Sequence, residues 1–412
     1  MNFDESVDRR QYPTLKWSKT FLEEHFGNAD VIPMSVADMD IKVPPSVIDK
    51  LQKRVAHGIF GYESKPESYY KALELWYLNR HKWKIEQHQI ETCPSILSAI
   101  AILINQHSNE GDGVIIQSPF FVEFRMVIKN NKRTIVKNPL KLIDGKYHID
   151  FNDLENKAAD SRNKILILCN PHNPVGRVWS KDELSGVAGI CERHNLFVIT
   201  DEIHGDFAFK PHQYIPYLAI SDTVSQNAAA CISPAKTFNI AGMIDAITII
   251  PNEIHRNRFH EFTDRYQTNK INVFANIAVE TAYLEGADWL DKLLDYLQGN
   301  VAFIKEFLSE NDINVSLIEP EGTFLVWLDF RALGFDVKIL ERFLADKAKI
   351  AVSPGYWFGR EGASFARMTV GCPLSTVKQA LSNLFHAGGR SAYPQGRYLL
   401  NFSWQLNSIV KI

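Results

Sequence analysis

Four short stretches of the sequence carry polar and aromatic side chains directly after an apolar run. Their residue types include a lysine, carboxylic acids, amides, a hydroxyl and phenylalanines. A lysine can form a Schiff base with an aldehyde, an acid can hold a positively charged ring nitrogen, an amide can hydrogen-bond a phenolic oxygen, and one aromatic ring can stack on another. The stretches are SPFF (Ser118 to Phe121), NPHNPVGR (Asn170 to Arg177), DEIHGD (Asp201 to Asp206) and SPAKTFN (Ser233 to Asn239).

Each of these side chains has a plain structural explanation when it is considered alone. Asp201 could cap a helix, Asn173 could hold its turn, and Lys236 could be a surface lysine, as most lysines are. Their occurrence at successive strand ends favours a site instead. The combined set meets the needs of pyridoxal phosphate (PLP), whose protonated ring accepts electrons from a carbanion. The sequence has no G-x-x-x-x-G-K-[ST] or G-x-G-x-x-G motif and no H-E-x-x-H or Cys/His ligand cluster, so it predicts neither a nucleotide loop nor a metal site.

The order of the predicted elements explains how these residues could meet. Apolar runs predict four strands, which end at residues 118, 170 and 201 and, more weakly, near residue 233. After the second strand, Ser180 and Glu183 form the S-x-x-E pattern of a helix start. Strand, helix and strand with short loops is the βαβ unit of a parallel sheet. Ligands of open parallel sheets bind beyond the carboxyl ends of the strands, so the four stretches are predicted to line one crevice.

The rest of the chain predicts a second, smaller unit. Long helices are predicted from about Val273 to Leu308, and strand and helix patterns alternate from there to Ala387. We predict an N-terminal arm over residues 1–45 that contributes to the small domain and the active site, a large PLP-binding domain over residues 46–287, a small C-terminal domain over residues 288–387, and an atypical tail over residues 388–412.

Composition argues against several other classes of protein. The 412 residues are 45% hydrophobic and 23% charged, with a formal net charge of −3. These values are ordinary for a globular enzyme and argue against nucleic acid or an anionic membrane as a partner. The N-terminus lacks the apolar core of a signal peptide, and no 18-residue apolar stretch follows. The five cysteines are odd in number and have no C-x-x-C spacing. We therefore predict a cytoplasmic protein with reduced thiols that binds neither nucleic acid nor membrane.

Seven motifs give the sequence a family resemblance from about Phe3 to Ala387. It resembles the fold-type I PLP enzymes of the class I/II aminotransferase superfamily and, within them, the MalY/PatB/cystalysin-like family of cystathionine β-lyases (C–S lyases). The resemblance implies an α/β fold, in which a large domain holds a mostly parallel seven-stranded sheet between helices, beside a smaller C-terminal α+β domain. The motifs, in the family's order, are VIPMSVADMDIKVPPSV, HGIFGYESKPESYYKAL, NPHNPVGRVWS, DEIHGDF, SPAKTFNIAGM, PEGTFLVWLDF and FARMTVGCP.

The resemblance implies that five residues hold the ring of PLP. Lys236 matches the Schiff-base lysine, which is also the catalytic base, and Asp201 matches the acid that pairs with the pyridine nitrogen. Asn173 matches the amide near the phenolic oxygen, and it also contributes to substrate binding. Phe121 matches the aromatic residue over the ring. His204 lies where many aminotransferases have a tyrosine, although a histidine that satisfies local backbone groups is an equally good interpretation.

Five further positions are implied to hold the phosphate and the substrate. Ile96 and Leu97 match the turn whose amides bind the phosphate, as helix N-termini do, and Ser233 matches a phosphate-binding hydroxyl. Tyr62 matches a tyrosine that reaches the phosphate of the neighbouring subunit, so the resemblance implies a homodimer with shared active sites. Arg367 matches the arginine that holds the substrate carboxylate, for which a planar guanidinium is well suited.

Three departures from the family pattern affect the predicted substrate. The family usually reads W-V-A-D-M-D-F, whereas this chain has Ser35 and Ile41 at the two ends of that motif. Phe121 replaces the tyrosine of P-x-Y, which keeps stacking but loses a hydroxyl. Aminotransferases often have an arginine eight residues after the lysine; this chain has Ile244 there, and the lyase subgroup commonly lacks the arginine as well.

The predicted activity is β-elimination on cystathionine or a related S-substituted cysteine, which gives a thiol, pyruvate and ammonia. A PLP-dependent aminotransferase stays open, because transamination uses the same lysine, ring and arginine. A regulatory binding protein on the same scaffold also stays open, and an exposed apolar patch away from the cleft would mark it.

Overall fold

A computed structural model describes residues 1–311 and 313–388 of the chain. In the described residues the α-helices are α1 (Lys19–Phe26), α2 (Pro45–His57), α3 (Glu67–His81), α4 (Ile96–His107), α5 (Val122–Asn130), α6 (Phe151–Ala158), α7 (Lys181–Arg193), α8 (Asp222–Gln226), α9 (Pro234–Thr237), α10 (Glu253–Tyr266), α11 (Val273–Glu285), α12 (Ala287–Glu310), α13 (Val337–Arg342) and α14 (Leu374–Gly388). A π-helical turn over Phe343–Lys347 extends α13.

The strands are β1 (Ile32–Pro33), β2 (Ile90–Cys93), β3 (Gly113–Ser118), β4 (Thr134–Pro139), β5 (Lys141–Ile143), β6 (Lys146–His148), β7 (Asn163–Cys169), β8 (Phe197–Asp201), β9 (Ala228–Ile232), β10 (Ala246–Ile249), β11 (Ser316–Ile318), β12 (Leu325–Asp329), β13 (Ile350–Ala351), β14 (Ser353–Pro354) and β15 (Phe365–Thr369).

The largest sheet has seven strands in the order β2-β10-β9-β8-β7-β3-β4. Strands β4, β3, β7, β8 and β9 run parallel, and β10 is antiparallel to both of its neighbours. Helices cover both faces of the sheet, which is why its strands read as continuous apolar runs. In β7, Leu166 and Leu168 belong to one hydrophobic core, whereas Ile165 and Ile167 belong to the other. This alternation places one half of each strand's side chains on each face.

Local signals account for the start of the helix after β7. Ser180 caps α7 by accepting a hydrogen bond from the amide of Glu183, and the Glu183 carboxylate accepts one from the amide of Ser180. This is the predicted capping box, and it directs α7 back across the sheet so that β8 can pair with β7 in parallel.

A second sheet lies in the C-terminal part of the chain. It is antiparallel, with four strands in the order β11-β12-β15-β14. The N-terminal part of the chain reaches this region, because β1 pairs in parallel with β13. Arg367 lies on β15, opposite Trp327 of β12 and Ser353 of β14.

The predicted architecture is confirmed: a mostly parallel seven-stranded sheet lies between helices, and a smaller antiparallel sheet follows it. The domain boundaries at residues 45, 287 and 387 stay a prediction. The predicted tail begins at Gly388, which is the last residue of α14, and the remainder of the tail lies outside the described residues. No helix within the described ranges combines the length and the apolar character that crossing a membrane requires.

Candidate active site

The four predicted stretches follow adjacent strands at one edge of the large sheet. Strands β3, β7, β8 and β9 are consecutive neighbours and run in the same direction. Cys169 at the end of β7 pairs with Asp201 at the end of β8, which pairs with Cys231 in β9. The residues after these ends therefore emerge side by side, as the sequence predicted.

Asp201 is a buried acid whose carboxylate can accept more hydrogen bonds than the described residues donate to it. Its Oδ1 accepts a hydrogen bond from the amide of Ile203 at 3.1 Å, and no other hydrogen bond to its carboxylate comes from residues 1–311 or 313–388. Burial raises the pKa of Asp201 to about 6, against the opposing influence of the Ile203 amide and of the nearby Lys236. A cationic partner would relieve this cost, because an opposite charge favours the ionised carboxylate.

Lys236 lies in a short helix that begins directly after β9. Ser233 caps α9 by accepting a hydrogen bond from the amide of Ala235, which fixes the start of the turn that carries the lysine. The Lys236 Nζ donates a hydrogen bond to the carbonyl of Ala37 at 2.5 Å.

Burial lowers the pKa of Lys236 to about 8. The charges of Asp38 and Asp201 oppose this shift, whereas the charge of Arg367 adds to it. The lysine is therefore easily deprotonated, as a nucleophilic or basic amine must be.

Arg367 and Asn173 are in direct contact. The Arg367 Nη1 donates to the Asn173 Oδ1 at 3.0 Å, and Nη2 donates to the carbonyl of Ser35 at 2.9 Å and to the Ser353 Oγ at 3.3 Å. The guanidinium also lies 4.8 Å from the centre of the Phe358 ring. Burial lowers its pKa to about 9, and its Nε is buried with no hydrogen-bond partner among the described residues. It is therefore a desolvated cation that an anionic ligand would stabilise.

His204 is buried beside these charged groups. Its ring makes an edge contact with Phe324, with centroids 5.6 Å apart, and its Nδ1 has no hydrogen-bond partner within the described chain. Burial, together with the positive charges of Lys236 and Arg367, lowers the pKa of His204 to about 3, so the imidazole is neutral. Among residues 1–311 and 313–388, no backbone group accepts or donates a hydrogen bond at the His204 Nδ1.

The residues predicted to bind phosphate lie around the start of α4. Ser95 caps this helix, so that Ile96 and Leu97 are its first residues. The preceding strand β2 ends at Cys93, opposite Ala246 of β10. The Ser233 Oγ donates to the carbonyl of Asp245 at 2.9 Å, so its proton is already engaged. Because β10 pairs with β2 and directly follows Asp245, it brings the start of α4 and Ser233 into one region.

The two phenylalanines of SPFF divide between core and surface. Phe120 is buried, whereas Phe121 is partly exposed at the start of α5 and makes an edge contact with Phe124. Tyr62 lies in the irregular segment between α2 and α3, where it is fully exposed. A single chain therefore does not bring Tyr62 into the cleft with Lys236.

Two polar residues of NPHNPVGR have structural partners instead of a place in the site. Asn170 donates to the carbonyl of Ile215 at 2.9 Å. The His172 Nε2 lies 2.8 Å from the carbonyl of Pro119, and burial lowers the pKa of this imidazole to about 4. His172 thus ties the end of β7 to the end of β3, and only the next polar residue, Asn173, reaches Arg367.

The sequence predicts that the arm over residues 1–45 contributes to the active site, but it does not predict the contacts that residues 35–41 make there. The contacts with Lys236 and Arg367 use the carbonyls of Ala37 and Ser35, and backbone atoms leave no signature in residue type. The departures in the motif SVADMDI bear on the predicted substrate, and the resemblance implies no role for its two carboxylates.

The residues of this cleft fit PLP by their chemistry. A deprotonatable lysine can bind its aldehyde carbon, and a buried acid with an unused oxygen can pair with its protonated ring nitrogen. The buried guanidinium of Arg367, with an unpartnered Nε, suits the carboxylate of an amino acid.

Comparison with known proteins identifies the family. The profile of the family "Aminotransferase class I and II" matches residues 29–384, which is most of the chain, so the chain belongs to that family. The sequence is 37% identical to cystathionine beta-lyase PatB of Bacillus subtilis over 384 residues, covering 93% of this chain and 99% of that protein. It is 34% identical to the protein MalY of Escherichia coli, covering 94% of this chain and 98% of that protein.

A solved structure agrees with these sequence relatives. Cystalysin from Treponema denticola, whose crystal structure contains a pyridoxal 5'-phosphate cofactor, superposes with a TM-score of 0.90 at 35% identity, covering 94% of this chain and 98% of that one. The predicted family and fold type are thereby confirmed.

Proposed function

We propose that this chain is a PLP-dependent C–S β-lyase that acts on cystathionine or a related S-substituted cysteine. The observation that carries the proposal is the convergence of Lys236, Asp201 and the Arg367–Asn173 pair at one sheet edge. The similarity to a cystathionine β-lyase over 93% of the chain supports it. When bound, PLP supplies a protonated ring that accepts the negative charge developing at the substrate Cα.

Ten positions would hold the cofactor and the substrate. Lys236 would bind the aldehyde carbon, Asp201 the ring nitrogen, and Asn173 the phenolic oxygen, with Phe121 against the ring and His204 nearby. The amides of Ile96 and Leu97 would bind the phosphate together with Tyr62 of a second copy. The hydroxyl of Ser233 would join them by turning its proton from the carbonyl of Asp245 to the phosphate. Arg367 would bind the substrate carboxylate.

Lys236 is proposed to act as the general base. With the substrate held in the cleft, the free Nζ of Lys236 would take the proton from the substrate Cα. Its pKa of about 8 suits this task, because a base works best when its pKa lies near the working pH. The carbonyl of Ala37, 2.5 Å from Nζ, would orient the amine toward the cleft.

Arg367 and Asn173 are proposed to fix the substrate carboxylate. A guanidinium can donate two parallel hydrogen bonds to a carboxylate, and the contact with Asn173 Oδ1 keeps the guanidinium plane in one orientation. Such positioning can contribute several kcal/mol to the lowering of the barrier. The electron pair left by the Cα–H bond would then form a Cα–Cβ double bond while the C–S bond breaks, and the thiolate would leave from Cβ with the electrons of the C–S bond. The released enamine takes up water and gives pyruvate and ammonia, and the thiolate takes a proton.

A homodimer with shared sites is part of the proposal. Its support is the exposure of Ile59, Phe60 and Tyr62 in one short segment, because such apolar side chains are commonly covered by a partner. Phe60 packs on Phe274 with ring centroids 5.2 Å apart, which holds the segment against α11.

We also propose that the enzyme works in the cytoplasm, since all five cysteines are buried free thiols.

The test separates the lyase from the aminotransferase. The purified protein is given cystathionine or another S-substituted cysteine without any keto acid. Steady release of pyruvate and thiol in equal amounts is the expected result. Strict dependence on an added keto acid would replace this proposal with transamination, and a panel of thioether, disulfide and sulfoxide substrates would identify the leaving group.

A further inference from the structure

The backbone of residues 35–41 contacts both functional cations of the cleft. The carbonyl of Ser35 accepts a hydrogen bond from Arg367, and the carbonyl of Ala37 accepts one from Lys236. Since these carbonyls are only two residues apart, the conformation of this segment sets the position of the lysine relative to the arginine.

A partly buried charge cluster holds the same segment from the N-terminal side. The Arg9 guanidinium donates to the Asp38 Oδ2 at 2.6 Å and to the Asp40 Oδ1 at 2.7 Å. The Lys16 Nζ donates to the Asp40 Oδ2 at 2.6 Å and to the carbonyl of Asp38 at 3.3 Å. The Trp17 Nε1 donates to the Asp40 Oδ1 at 3.1 Å. We call Arg9, Lys16 and Trp17 the N-terminal clamp.

The burial of Lys16 and Asp40 indicates a fixed arrangement. Lys16 has no exposed surface and the Asp40 side chain is 7% exposed, whereas the Arg9 and Asp38 side chains are 20% and 24% exposed. A buried lysine is tolerated only when its charge is paired and hydrogen-bonded, so removal of one partner leaves an uncompensated charge. Neither acid can therefore shift freely while Arg9 and Lys16 are in place.

The opposite side of the segment is tied to the helix turn that carries the lysine. The Asn239 side chain accepts a hydrogen bond from the amide of Met39 at 3.1 Å and donates to the carbonyls of Met39 and Ile41 at 2.9 and 2.7 Å. Asn239 follows Lys236 by three residues, so the segment lies between the clamp and the lysine.

The charge of Asp38 links the clamp to the lysine electrostatically. Asp38 acts on Lys236 in the direction that favours the ammonium form. The Asp38 Oδ2 is bound by Arg9, whereas its Oδ1 is buried without a hydrogen-bond partner among the described residues and lies 3.9 Å from the Lys16 Nζ. Arg9 and Lys16 therefore partly neutralise a carboxylate whose field reaches Lys236.

We propose that Arg9 and Lys16 are positioning residues of the active site. By holding Asp38 and Asp40 they fix residues 35–41, and thereby the separation and orientation of Lys236 and Arg367. This inference rests on the proposed function for the roles of those two cations, although the clamp itself is defined by its own contacts.

The test compares Arg9→Gln with the matched control Arg10→Gln in the cofactor-loaded protein. Arg10 is exposed and pairs only with Asp8 among the described residues. We expect Arg9→Gln to speed amide hydrogen exchange over residues 35–41. We also expect it to lower kcat/KM by about ten- to a hundredfold, the effect of misplacing a catalytic group by on the order of 1 Å. Arg10→Gln should change neither quantity, and Arg9→Lys should restore part of the loss.

A spectroscopic readout separates positioning from general stability. The visible absorbance of the bound cofactor is measured as a function of pH and reports the protonation of the Lys236 nitrogen. The charges that act on this nitrogen are those of Asp38, Asp201 and Arg367. Loss of the Arg9 charge should raise the pH midpoint of this titration. Without Arg9, the negative charge of Asp38 is less neutralised and favours the protonated form of the Lys236 nitrogen more strongly. A lower melting temperature with unchanged exchange, midpoint and kinetics would overturn the proposal.

A milder variant covers the case in which Arg9→Gln fails to fold. Trp17→Phe keeps an aromatic ring and removes the one hydrogen bond that the Trp17 side chain donates to Asp40. It should produce smaller changes in the same direction. Hydrogen exchange and cofactor absorbance do not depend on the substrate. A parent protein that releases no pyruvate would therefore count against the proposed function, whereas unchanged exchange and absorbance in the variants would count against the clamp.

Discussion

Two buried aspartates in one motif have carboxyl pKa values shifted in opposite directions. Burial raises the pKa of Asp201 to about 6. Burial also acts to raise the pKa of Asp206, but the net shift is downward. The lowering comes from hydrogen bonds with His81 and Thr237 and from the charges of His81 and Arg80. We predict that Asp201→Asn stabilises the cofactor-free protein at pH 8, whereas Asp206→Asn destabilises it.

The magnitude follows from the difference in proton binding between the folded and unfolded chains. An unfolded aspartate has a pKa of about 3.9, so between roughly pH 4 and pH 6 the folded chain binds more protons at Asp201 than the unfolded chain does. The stability of the parent protein therefore falls as the pH rises through this window. Integrating this difference in bound protons over pH shows that Asp201 lowers the free energy of unfolding by on the order of 3 kcal/mol at pH 8 and by about 1.5 kcal/mol at pH 5. Asparagine removes the charge and keeps an acceptor for the amide of Ile203.

The assay is urea denaturation of the cofactor-free parent and of both variants at pH 5 and pH 8. Asp201→Asn should be more stable than the parent by the amounts given, with the larger gain at pH 8. Added PLP should reverse the order, because its cationic ring nitrogen pairs with the carboxylate and not with the amide. If Asp201→Asn is less stable than the cofactor-free parent at pH 8, or if the difference is independent of pH, the electrostatic assignment of Asp201 is wrong.

Three further predictions test the assigned residues. Lys236→Ala should abolish pyruvate release and the visible absorbance of bound cofactor with unchanged circular dichroism; full activity would refute the site. Mixing impaired Tyr62→Phe with Lys236→Ala protein, under confirmed subunit exchange, should recover activity, because one hybrid site has both residues intact; no recovery argues against shared sites. Phe121→Ala should weaken cofactor binding, since stacking contributes about 0.5–1.5 kcal/mol, whereas Phe121→Tyr should alter only the preference among leaving groups. Unchanged cofactor dissociation in Phe121→Ala would remove Phe121 from the ring.

The sheet edge could be predicted because its signals are local. The apolar run of β7 and the capping box at Ser180 identify a strand and a helix from a few neighbouring residues, and the rule of parallel strands then brings Asn173, Asp201 and Lys236 together. The contact between Arg367 and Asn173, which are far apart in the chain, was expected only through the family resemblance. Residue patterns alone give no reason for a particular arginine of the second sheet to face the first.

The N-terminal clamp could not be predicted for a different physical reason. Lys16 stands in the stretch TLKWS, and a lysine is normally exposed, yet tertiary pairing with Asp40 buries it completely. The contacts of Ser35 and Ala37 use backbone carbonyls, which every residue possesses. His172 lies in one of the four stretches that line the crevice, but its contact with the carbonyl of Pro119 gives it a structural role.

The ionisable groups of the cleft share one property, which links its stability to its chemistry. Burial shifts the pKa of Asp201 upward and the pKa values of Lys236, His204 and Arg367 downward, in each case toward the neutral form. Such shifts cost folding free energy, and a core selected for stability alone would contain apolar residues at these positions. The same removal of water makes the lysine a better base and increases the gain when an anion binds the arginine or a cation binds the aspartate. The stability that Asp201→Asn is expected to gain without cofactor and the reversal that is expected with cofactor therefore have one physical cause.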